Sequence, residues 1–213
     1  MKNILFCGGS HLAHAKKVIE KKFRNYDIEF YVTAGPKNRD WSIKGGRYKV
    51  NGTEVGGNFV KPDLFKDLSK YEYIVFVGQW IQINRYLIFL KKQMLSKSIL
   101  REIFNKNCFI NIPGNIYNEP LEIFPKLAPN KIILIPDPLV KITRLEYITS
   151  NYIDYFYRQL HLFCESKSIK IVMPDKSLLD DIGCVKAEYM RDKKDIHCTR
   201  EYWEILFEKF NYF

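Results

Sequence analysis

Short apolar segments alternate with longer amphipathic segments along most of this chain. Strand-like stretches, apolar or alternating, cover residues 2–7, 27–33, 73–77, 131–135 and 169–173. Helical periodicity is found over residues 11–23, 63–69, 85–104, 144–166 and 199–210. Strands that alternate with helices favour a parallel sheet covered on both faces. The pattern therefore predicts an α/β fold, a three-layer α/β/α sandwich around a mostly parallel five-stranded sheet.

One long segment interrupts this alternation. Residues 34–62 are rich in glycine, asparagine and aromatic residues and predict a long, structured loop. Within it, residues 48–55 contain the Asn51-Gly52 pair, which is typical of a tight hairpin turn. Long irregular segments inside compact domains are usually functional. We therefore expect one domain over residues 1–213, with a loop and hairpin insertion at about 34–62.

The composition agrees with a single domain and restricts the choice of partners. With 213 residues, 46% hydrophobic and 15% aromatic, the chain can bury one core of ordinary size. The formal net charge is +10, but the lysines are spread along the chain and no nucleic-acid-binding motif accompanies them. We interpret the charge as a solvated surface that steers an anionic substrate toward the protein. No nucleic-acid partner is expected.

The sequence predicts neither a membrane segment nor a metal centre. The apolar stretch after Met1 is too short for a signal peptide, and no apolar run is long enough to cross a membrane, so we expect a cytoplasmic protein. The five cysteines are scattered without a Cys-x-x-Cys pair, which argues against a disulfide framework or a zinc site. His11 and His14 have a helical spacing that can bind metal, but no third ligand is in view. We expect no metal and no cofactor.

A serine stands where the first predicted strand gives way to the first predicted helix, in Gly8-Gly9-Ser10-His11. A hydroxyl there is exposed at the strand end and lies beside the N–H groups of a helix N-terminus, which can hold a developing oxyanion. Two other interpretations remain open from the residues alone. Ser10 is also suited to capping the helix, and the glycines are also suited to a phosphate-binding loop.

A histidine precedes the last predicted helix, in a loop that contains two aspartates, Asp192 and Asp195. An imidazole oriented by a carboxylate can take a serine proton and return it to a leaving group. The loop follows the last strand and can reach the carboxyl ends of the strands, where α/β proteins bind ligands. We expect His197 to meet Ser10 there, although a lone histidine is more often structural.

Four segments resemble, in order, the motifs of the SGNH (GDSL-like) hydrolases, particularly bacterial members associated with surface polysaccharides. Residues 4–11 resemble the first block, residues 73–78 the strand leading to the third block, residues 169–189 the approach to the last block, and residues 195–202 the last block itself. The resemblance implies a flavodoxin-like architecture. It also implies that Ser10 is the nucleophile and His197 the base.

The remaining site residues are carried over from the same resemblance. The family's last block has an aspartate three residues before the histidine, where this chain has Lys194, so Asp195 or Asp192 would orient the imidazole, and we favour Asp195. A Ser–His dyad helped by a backbone carbonyl is the alternative. For the oxyanion hole we expect the Ser10 N–H, the second-block Gly46, and Gln79 in place of the usual asparagine. The list of expected substrate-binding residues is His11, Trp41 and Trp80.

The resemblance implies ester chemistry through an acyl-Ser10 intermediate. An esterase or O-deacetylase acting on an acylated carbohydrate is the first expectation. A carbohydrate O-acetyltransferase, which would use acetyl-CoA or another acyl donor, shares the first half of that reaction. A non-catalytic binding protein on the same fold is a further alternative, motivated by the departures from the family's aspartate and asparagine. The sequence does not predict the oligomeric state.

Overall fold

The computed structural model describes residues 2–32, 40–44, 47–51, 66–78, 119–140, 150–192, 195–208 and 210, and the statements below concern these residues. The strands are β1 (Asn3–Gly8), β2 (Asp27–Val32), β3 (Asp40–Lys44), β4 (Arg47–Asn51), β5 (Lys66–Asp67), β6 (Tyr73–Val77), β7 (Ile132–Ile135) and β8 (Lys170–Ile171). The α-helices are α1 (Ser10–Lys22), α2 (Glu119–Leu127), α3 (Ser150–Ser166) and α4 (Arg200–Glu208). Single 3-10 turns lie at Leu68–Lys70, Lys176–Leu178 and Ala187–Tyr189.

Five strands form one parallel sheet in the order β2-β1-β6-β7-β8. The predicted parallel five-stranded sheet is therefore confirmed. Its strands are apolar on both faces, as expected of strands covered by helices above and below. At the centre of the sheet, Gly8 is in register with Val32 on one side and Val77 on the other. The carboxyl ends of β2, β1 and β6 thus meet at one edge of the sheet.

The alternating residues of the strands divide the core into two faces. Phe6, Val75 and Val77 belong to a buried cluster that also contains side chains of α1 and α4. The neighbouring residue Phe76 points to the opposite face, where its ring packs edge-on against Phe124 of α2, with centroids 5.3 Å apart. Full burial of a side chain of this size contributes about 1.5–3 kcal/mol. The three-layer arrangement follows from these two packed faces.

The insertion contains a second sheet, and its hairpin differs from the predicted one. Strands β3 and β4 pair antiparallel, with Lys44 opposite Arg47, so residues 45–46 connect them. The sequence predicted a hairpin over residues 48–55 about Asn51-Gly52, but Asn51 pairs instead with Asp40. The chain offers a second two-residue turn signal, Gly-Gly at residues 45–46, and the register of β3 with β4 agrees with that one. Residues 52–65 lie outside the described residues.

Two other elements depart from the sequence predictions. The helix predicted over residues 63–69 is replaced, in its described part, by β5 and the 3-10 turn that follows. The Asp67 carboxylate caps this turn by accepting a hydrogen bond from the Ser69 N–H at 2.9 Å, which favours a turn over a longer helix. Helix α2 was not predicted, because it contains Pro120 and Pro125, and proline is a poor helix former. The helix predicted over residues 85–104 lies outside the described residues. So do residues 144–149, the start of the helix predicted over residues 144–166.

No helix in the described part of the chain combines the length and the apolar character needed to cross a membrane.

The end of α3 supplies a test of local stability. The Ile169 N–H donates to the Cys164 carbonyl at 2.8 Å and the Ser168 N–H to the Glu165 carbonyl at 3.1 Å, which is a Schellman motif. Ser168 occupies its left-handed position, with φ of 54°, where glycine carries no steric penalty. We expect Ser168→Gly to raise the free energy of unfolding by about 1 kcal/mol in urea denaturation.

Ser166→Gly is the matched control for this substitution. Ser166 lies at the last position of α3 and donates its hydroxyl to the Phe163 carbonyl at 2.8 Å. Glycine there loses that bond and has a poor helix propensity, so this variant should be less stable than the wild type. The interpretation of the motif is wrong if both variants shift the unfolding midpoint in the same direction.

Candidate active site

Ser10 is the first residue of α1, directly after the end of β1. The N-cap position of this helix belongs to Gly9, which has no side chain that could cap it. Ser10 is the next residue, so its hydroxyl is not the N-cap. The first N–H groups of any α-helix have no partner within the helix. Ser10 therefore stands beside hydrogen-bond donors at the carboxyl edge of the sheet, where an oxyanion can be held.

Close backbone packing sets the position of this junction. A Cβ atom on Gly8 would lie 2.4 Å from the carbonyl oxygen of Val77 and 2.9 Å from the Cβ of Leu12. No side chain fits at that distance, so only glycine allows β1 and α1 to lie this close to β6. The residue thus fixes where α1 begins relative to the sheet.

His197 lies in a loop whose two sides are joined by backbone hydrogen bonds. The Arg191 N–H donates to the His197 carbonyl at 3.2 Å, and the Thr199 N–H donates to the Tyr189 carbonyl at 2.8 Å. A further bond, from the Asp195 N–H to the Asp192 carbonyl at 3.1 Å, closes the tip of the loop. The backbone on both sides of His197 is therefore fixed before any side chain is considered.

Asp195, rather than Asp192, is the aspartate that the structure brings to the imidazole. One carboxylate oxygen, Oδ1, accepts the His197 N–H at 3.0 Å and lies 2.5 Å from His197 Nδ1. The first of these contacts is an Asx turn, a local bond that Asp makes readily to the residue two positions on. The turn explains how an aspartate two residues before the histidine can orient it.

The charge of Asp195 matches this role. Burial alone would raise the pKa of Asp195, but the two hydrogen bonds from His197 and the charges of His197 and Arg191 hold it below its ordinary value. An ionised carboxylate on Nδ1 favours the tautomer with the proton at Nδ1. The lone pair is then on Nε2, the atom that can accept a proton.

The imidazole lies against the first turns of α1. The ring centroid of His197 is 5.1 Å from that of His11 and 4.5 Å from that of His14. Since His11 follows Ser10 in the chain, the serine and His197 lie on the same edge of the sheet. His197 Nε2 is buried and has no hydrogen-bond partner among the described residues, so its bond to the Ser10 hydroxyl is not formed in this conformation. Catalytic hydrogen bonds often tighten only when substrate binds.

The sequence predicts that His11 lies at the mouth of the site and contacts substrate. In the structure its side chain is buried instead. The residue is 5% exposed. Burial, with smaller contributions from the charges of His197 and His14, lowers its pKa from 6.5 to about 3. His11 is therefore neutral at neutral pH. Its Nε2 atom lies 3.6 Å from Asp137 Oδ1, which is a close contact rather than a hydrogen bond.

Asp137 and Gly78 also belong to this edge, and the place of the Asp137 side chain there was not predicted from the sequence. Asp137 follows β7, between two prolines that hold its backbone. Gly78 follows β6 with φ of 62°, and a Cβ there would lie 2.5 Å from Asp137 Oδ1 and 3.2 Å from the Cβ of His11. In the sequence, Pro136-Asp137-Pro138 indicates only that the strand ends, and nothing in it points to a contact with His11.

The other predicted site residues are not placed by the structure. Gly46, Gln79 and Trp80 lie outside the described residues. Trp41 belongs to β3, but its side chain is not described. Their roles stay predictions.

Among the described residues no group of three or more histidine, cysteine or acidic side chains has the arrangement of a metal site. Cys7, Cys164, Cys184 and Cys198 are buried and form no disulfide among the described residues. The imidazoles of His11 and His14 contact His197 by their rings instead.

No protein-family model matches this chain, and no curated protein matches it. Among solved structures it is similar to a protein from Streptococcus pneumonia provisionally named a platelet activating factor. The TM-score is 0.52 at 14% identity, over 97% of this chain and 81% of that one. A protein from Bacteroides fragilis provisionally assigned as an acylhydrolase has a TM-score of 0.45 at 12% identity, over 97% and 83%. The first likeness shows a shared fold, in agreement with the α/β class predicted from the sequence.

We expect acid to destabilise the protein through His11. An unfolded chain binds a proton at this histidine below about pH 6.5, whereas the folded protein binds one only near pH 3. The stability that neutral His11 contributes is therefore complete above pH 6.5 and is lost as the pH falls toward 3. Between pH 7 and about pH 4.5, the free energy of unfolding should fall by at least about 1 kcal/mol more in the wild type than in His11→Asn.

His161→Asn is the matched control, because His161 is exposed on α3. This variant should keep the pH dependence of the wild type in urea denaturation. Equal acid sensitivity of the wild type and His11→Asn would contradict the assignment of His11 as a buried neutral histidine.

Proposed function

We propose that this protein is a serine-dependent esterase that acts through an acyl-Ser10 intermediate. The observation that carries the proposal is the arrangement around His197. Its Nδ1 faces the Asp195 carboxylate at 2.5 Å, and its ring lies against the first turns of the helix that begins at Ser10. A carboxylate, an imidazole and a hydroxyl in this order are the parts of a catalytic triad, whatever fold presents them.

The reaction follows from the chemistry of these groups. The Ser10 Oγ attacks the ester carbonyl carbon while His197 Nε2 takes the hydroxyl proton, and the carbonyl oxygen becomes an oxyanion. The Ser10 N–H at the start of α1 donates to that oxygen, and we include Gly46 and Gln79 in the proposal as further donors. The C–O bond of the ester then breaks, and the alcohol leaves with the proton from His197. Water attacks the acyl-Ser10 ester by the same steps, which releases the acid and frees Ser10.

The ionised state of Asp195 and the neutral state of His11 support this sequence of proton transfers. The imidazolium that forms at His197 is stabilised by the ionised Asp195. His11 stays neutral beside it, so it adds no second cation to the same edge. The burial of His197 Nε2 also limits competition from water for the proton.

The substrate belongs to the proposal as well. We propose an ester of a small acyl group, such as acetate, on a carbohydrate of the kind found in surface polysaccharides, with Trp41 and Trp80 as sugar-stacking residues. The sequence resemblance supports this choice. The net charge of +10 suits an anionic polymer.

Hydrolysis of p-nitrophenyl acetate tests the nucleophile and the base. Ser10→Ala and His197→Ala should each lower kcat/KM by about a thousandfold or more, because each removes a group that acts in the transition state. Ser177→Ala and His161→Ala change exposed residues of the same types and should retain wild-type activity. Equal turnover by Ser10→Ala and the wild type would sink the proposal, and so would failure of a fluorophosphonate to label Ser10.

The same preparation separates hydrolysis from transfer. Mass spectrometry of candidate oligosaccharides incubated with acetyl-CoA should show no acetylated product that depends on Ser10. Ser10-dependent acetylation of a sugar would instead identify an O-acetyltransferase that uses the same acyl-Ser10 intermediate.

Asp195 and Asp192 offer a second, matched comparison. Asp195→Asn keeps the shape of the side chain but removes the charge on Nδ1, so kcat should fall by about 10²- to 10⁴-fold. Asp192→Asn removes a charge from the same loop but leaves the contact between Asp195 and His197 in place, so it should change kcat by less than about threefold. Similar losses in the two variants would mean that the loop as a whole, rather than the Asp195 carboxylate, supports the base.

A further inference from the structure

The second oxygen of the Asp195 carboxylate faces a guanidinium group. Asp195 Oδ2 lies 3.8 Å from Arg191 Nη1, while Oδ1 is engaged by His197. The carboxylate is therefore placed between the imidazole that it orients and a cation. A carboxylate held from both sides has less freedom to rotate away from the histidine.

The same guanidinium nitrogen also contacts His14. Arg191 Nη1 is 3.2 Å from His14 Nε2 and 3.4 Å from His14 Nδ1, so it lies almost equally close to both ring nitrogens. The His14 ring in turn packs against the ring of His197, with centroids 4.5 Å apart. Arg191 thus reaches His197 by two routes, one through Asp195 and one through His14.

Arg191 is tied to His197 through the backbone as well. Its N–H donates to the His197 carbonyl at 3.2 Å, and the flanking residues Met190 and Cys198 form an antiparallel bridge. The side-chain contacts therefore start from a fixed backbone. Arg191, Asp195 and His14 surround the imidazole on the side of the loop and of α1.

We infer that Arg191 and His14 are positioning residues, which together fix the orientation of His197. Arg191 does this by holding Asp195 and by balancing its charge, and His14 does it by packing against the imidazole ring. The kinetic consequences rest on the proposed function, since they require His197 to act as the base. The structural arrangement does not.

The charges around His197 give the direction of the effect. From α1 it faces His11 and His14, and from its own loop it faces Asp195 and Arg191. Burial, followed by the charges of His197 and Arg191, lowers the pKa of His14. His11 and His14 are therefore both neutral at neutral pH, and Arg191 is the permanent cation of this group. Its removal leaves the negative charge of Asp195 unopposed, so His197 should bind a proton more readily.

The test follows the His197 imidazole by NMR in the full-length chain, with Arg191→Gln as the variant. We expect the titration midpoint of this ring to move to higher pH by about half a unit or more. The acidic limb of the pH profile of kcat/KM for p-nitrophenyl acetate should move in the same direction. At a pH above that limb, kcat should also fall by about three- to thirtyfold, with a smaller change in KM, because the base is less well oriented.

Arg158→Gln is the matched control, because Arg158 is exposed on α3. It should leave the titration midpoint of His197 and kcat unchanged. Arg191→Lys keeps the positive charge, so its titration midpoint should lie close to that of the wild type. His14→Phe keeps a ring against His197 and should retain several times more activity than His14→Ala, whereas His161→Phe should match the wild type. The side chain of Arg191 is about half exposed, so the variant is expected to fold.

Two outcomes overturn the inference. One is a midpoint that is the same in Arg191→Gln and the wild type, and the other is an equal shift in Arg158→Gln. If Ser10→Ala retains full activity but Arg191→Gln moves the midpoint, the proposed nucleophile is wrong and the positioning role stands. If Ser10→Ala is inactive and the midpoint does not move in Arg191→Gln, the proposed nucleophile stands and the positioning role is wrong.

Discussion

A single carboxylate oxygen accepts two hydrogen bonds from the same histidine, and the geometry of the candidate site depends on it. Asp195 Oδ1 receives the backbone N–H of His197 and faces the ring nitrogen Nδ1. Local turns of this kind bring a side chain back to the backbone two residues later. Here the turn also directs the ring, because the backbone bond and the ring bond share one acceptor. The proton-accepting nitrogen is then turned away from Asp195.

Helix packing explains why groups from the two ends of the chain meet. Helices α1 and α4 lie on the same face of the sheet and run side by side. Their first turns meet at His11 and Trp203, whose ring centroids are 6.3 Å apart. Their far ends meet at Phe23 and Phe207, whose ring centroids are 5.9 Å apart. Both helices therefore begin at the same edge. The start of each helix is the positive end of its dipole, so two such ends favour a developing negative charge there.

The sequence was sufficient to predict the sheet, because its strands are short, apolar and separated by helices. It was also sufficient to single out Ser10, since a serine between glycines and an amphipathic helix is a local feature. The position of the hairpin in the insertion was wrong because two equivalent turn signals, Gly45-Gly46 and Asn51-Gly52, lie six residues apart. Local patterns rank such turns equally, and the pairing of β4 with β3 and with β5 separates them.

Arg191 and Asp137 could not be found in the same way. Arg191 is one charged residue among the 34 lysines and arginines, and nothing in its neighbours marks it. Its contact to His14 joins residues 177 positions apart in the chain. Asp137 and Gly78 gain their meaning from the parallel register of β6 and β7, which brings the ends of two strands together. Such contacts depend on tertiary packing, which a single sequence does not show.

The distribution of unsatisfied polar atoms connects the fold to the site. Three of the buried polar atoms without a partner among the described residues are His11 Nδ1, His197 Nε2 and Trp203 Nε1. The ring of His11 contacts the other two where α1 and α4 begin, with its centroid 5.1 Å from that of His197 and 6.3 Å from that of Trp203. Each such atom costs about 1–3 kcal/mol, so a core selected for stability alone would pair or remove them. A group of them at the strand edge, beside an oriented imidazole and the first residue of a helix, is the pattern expected where stability is exchanged for chemistry.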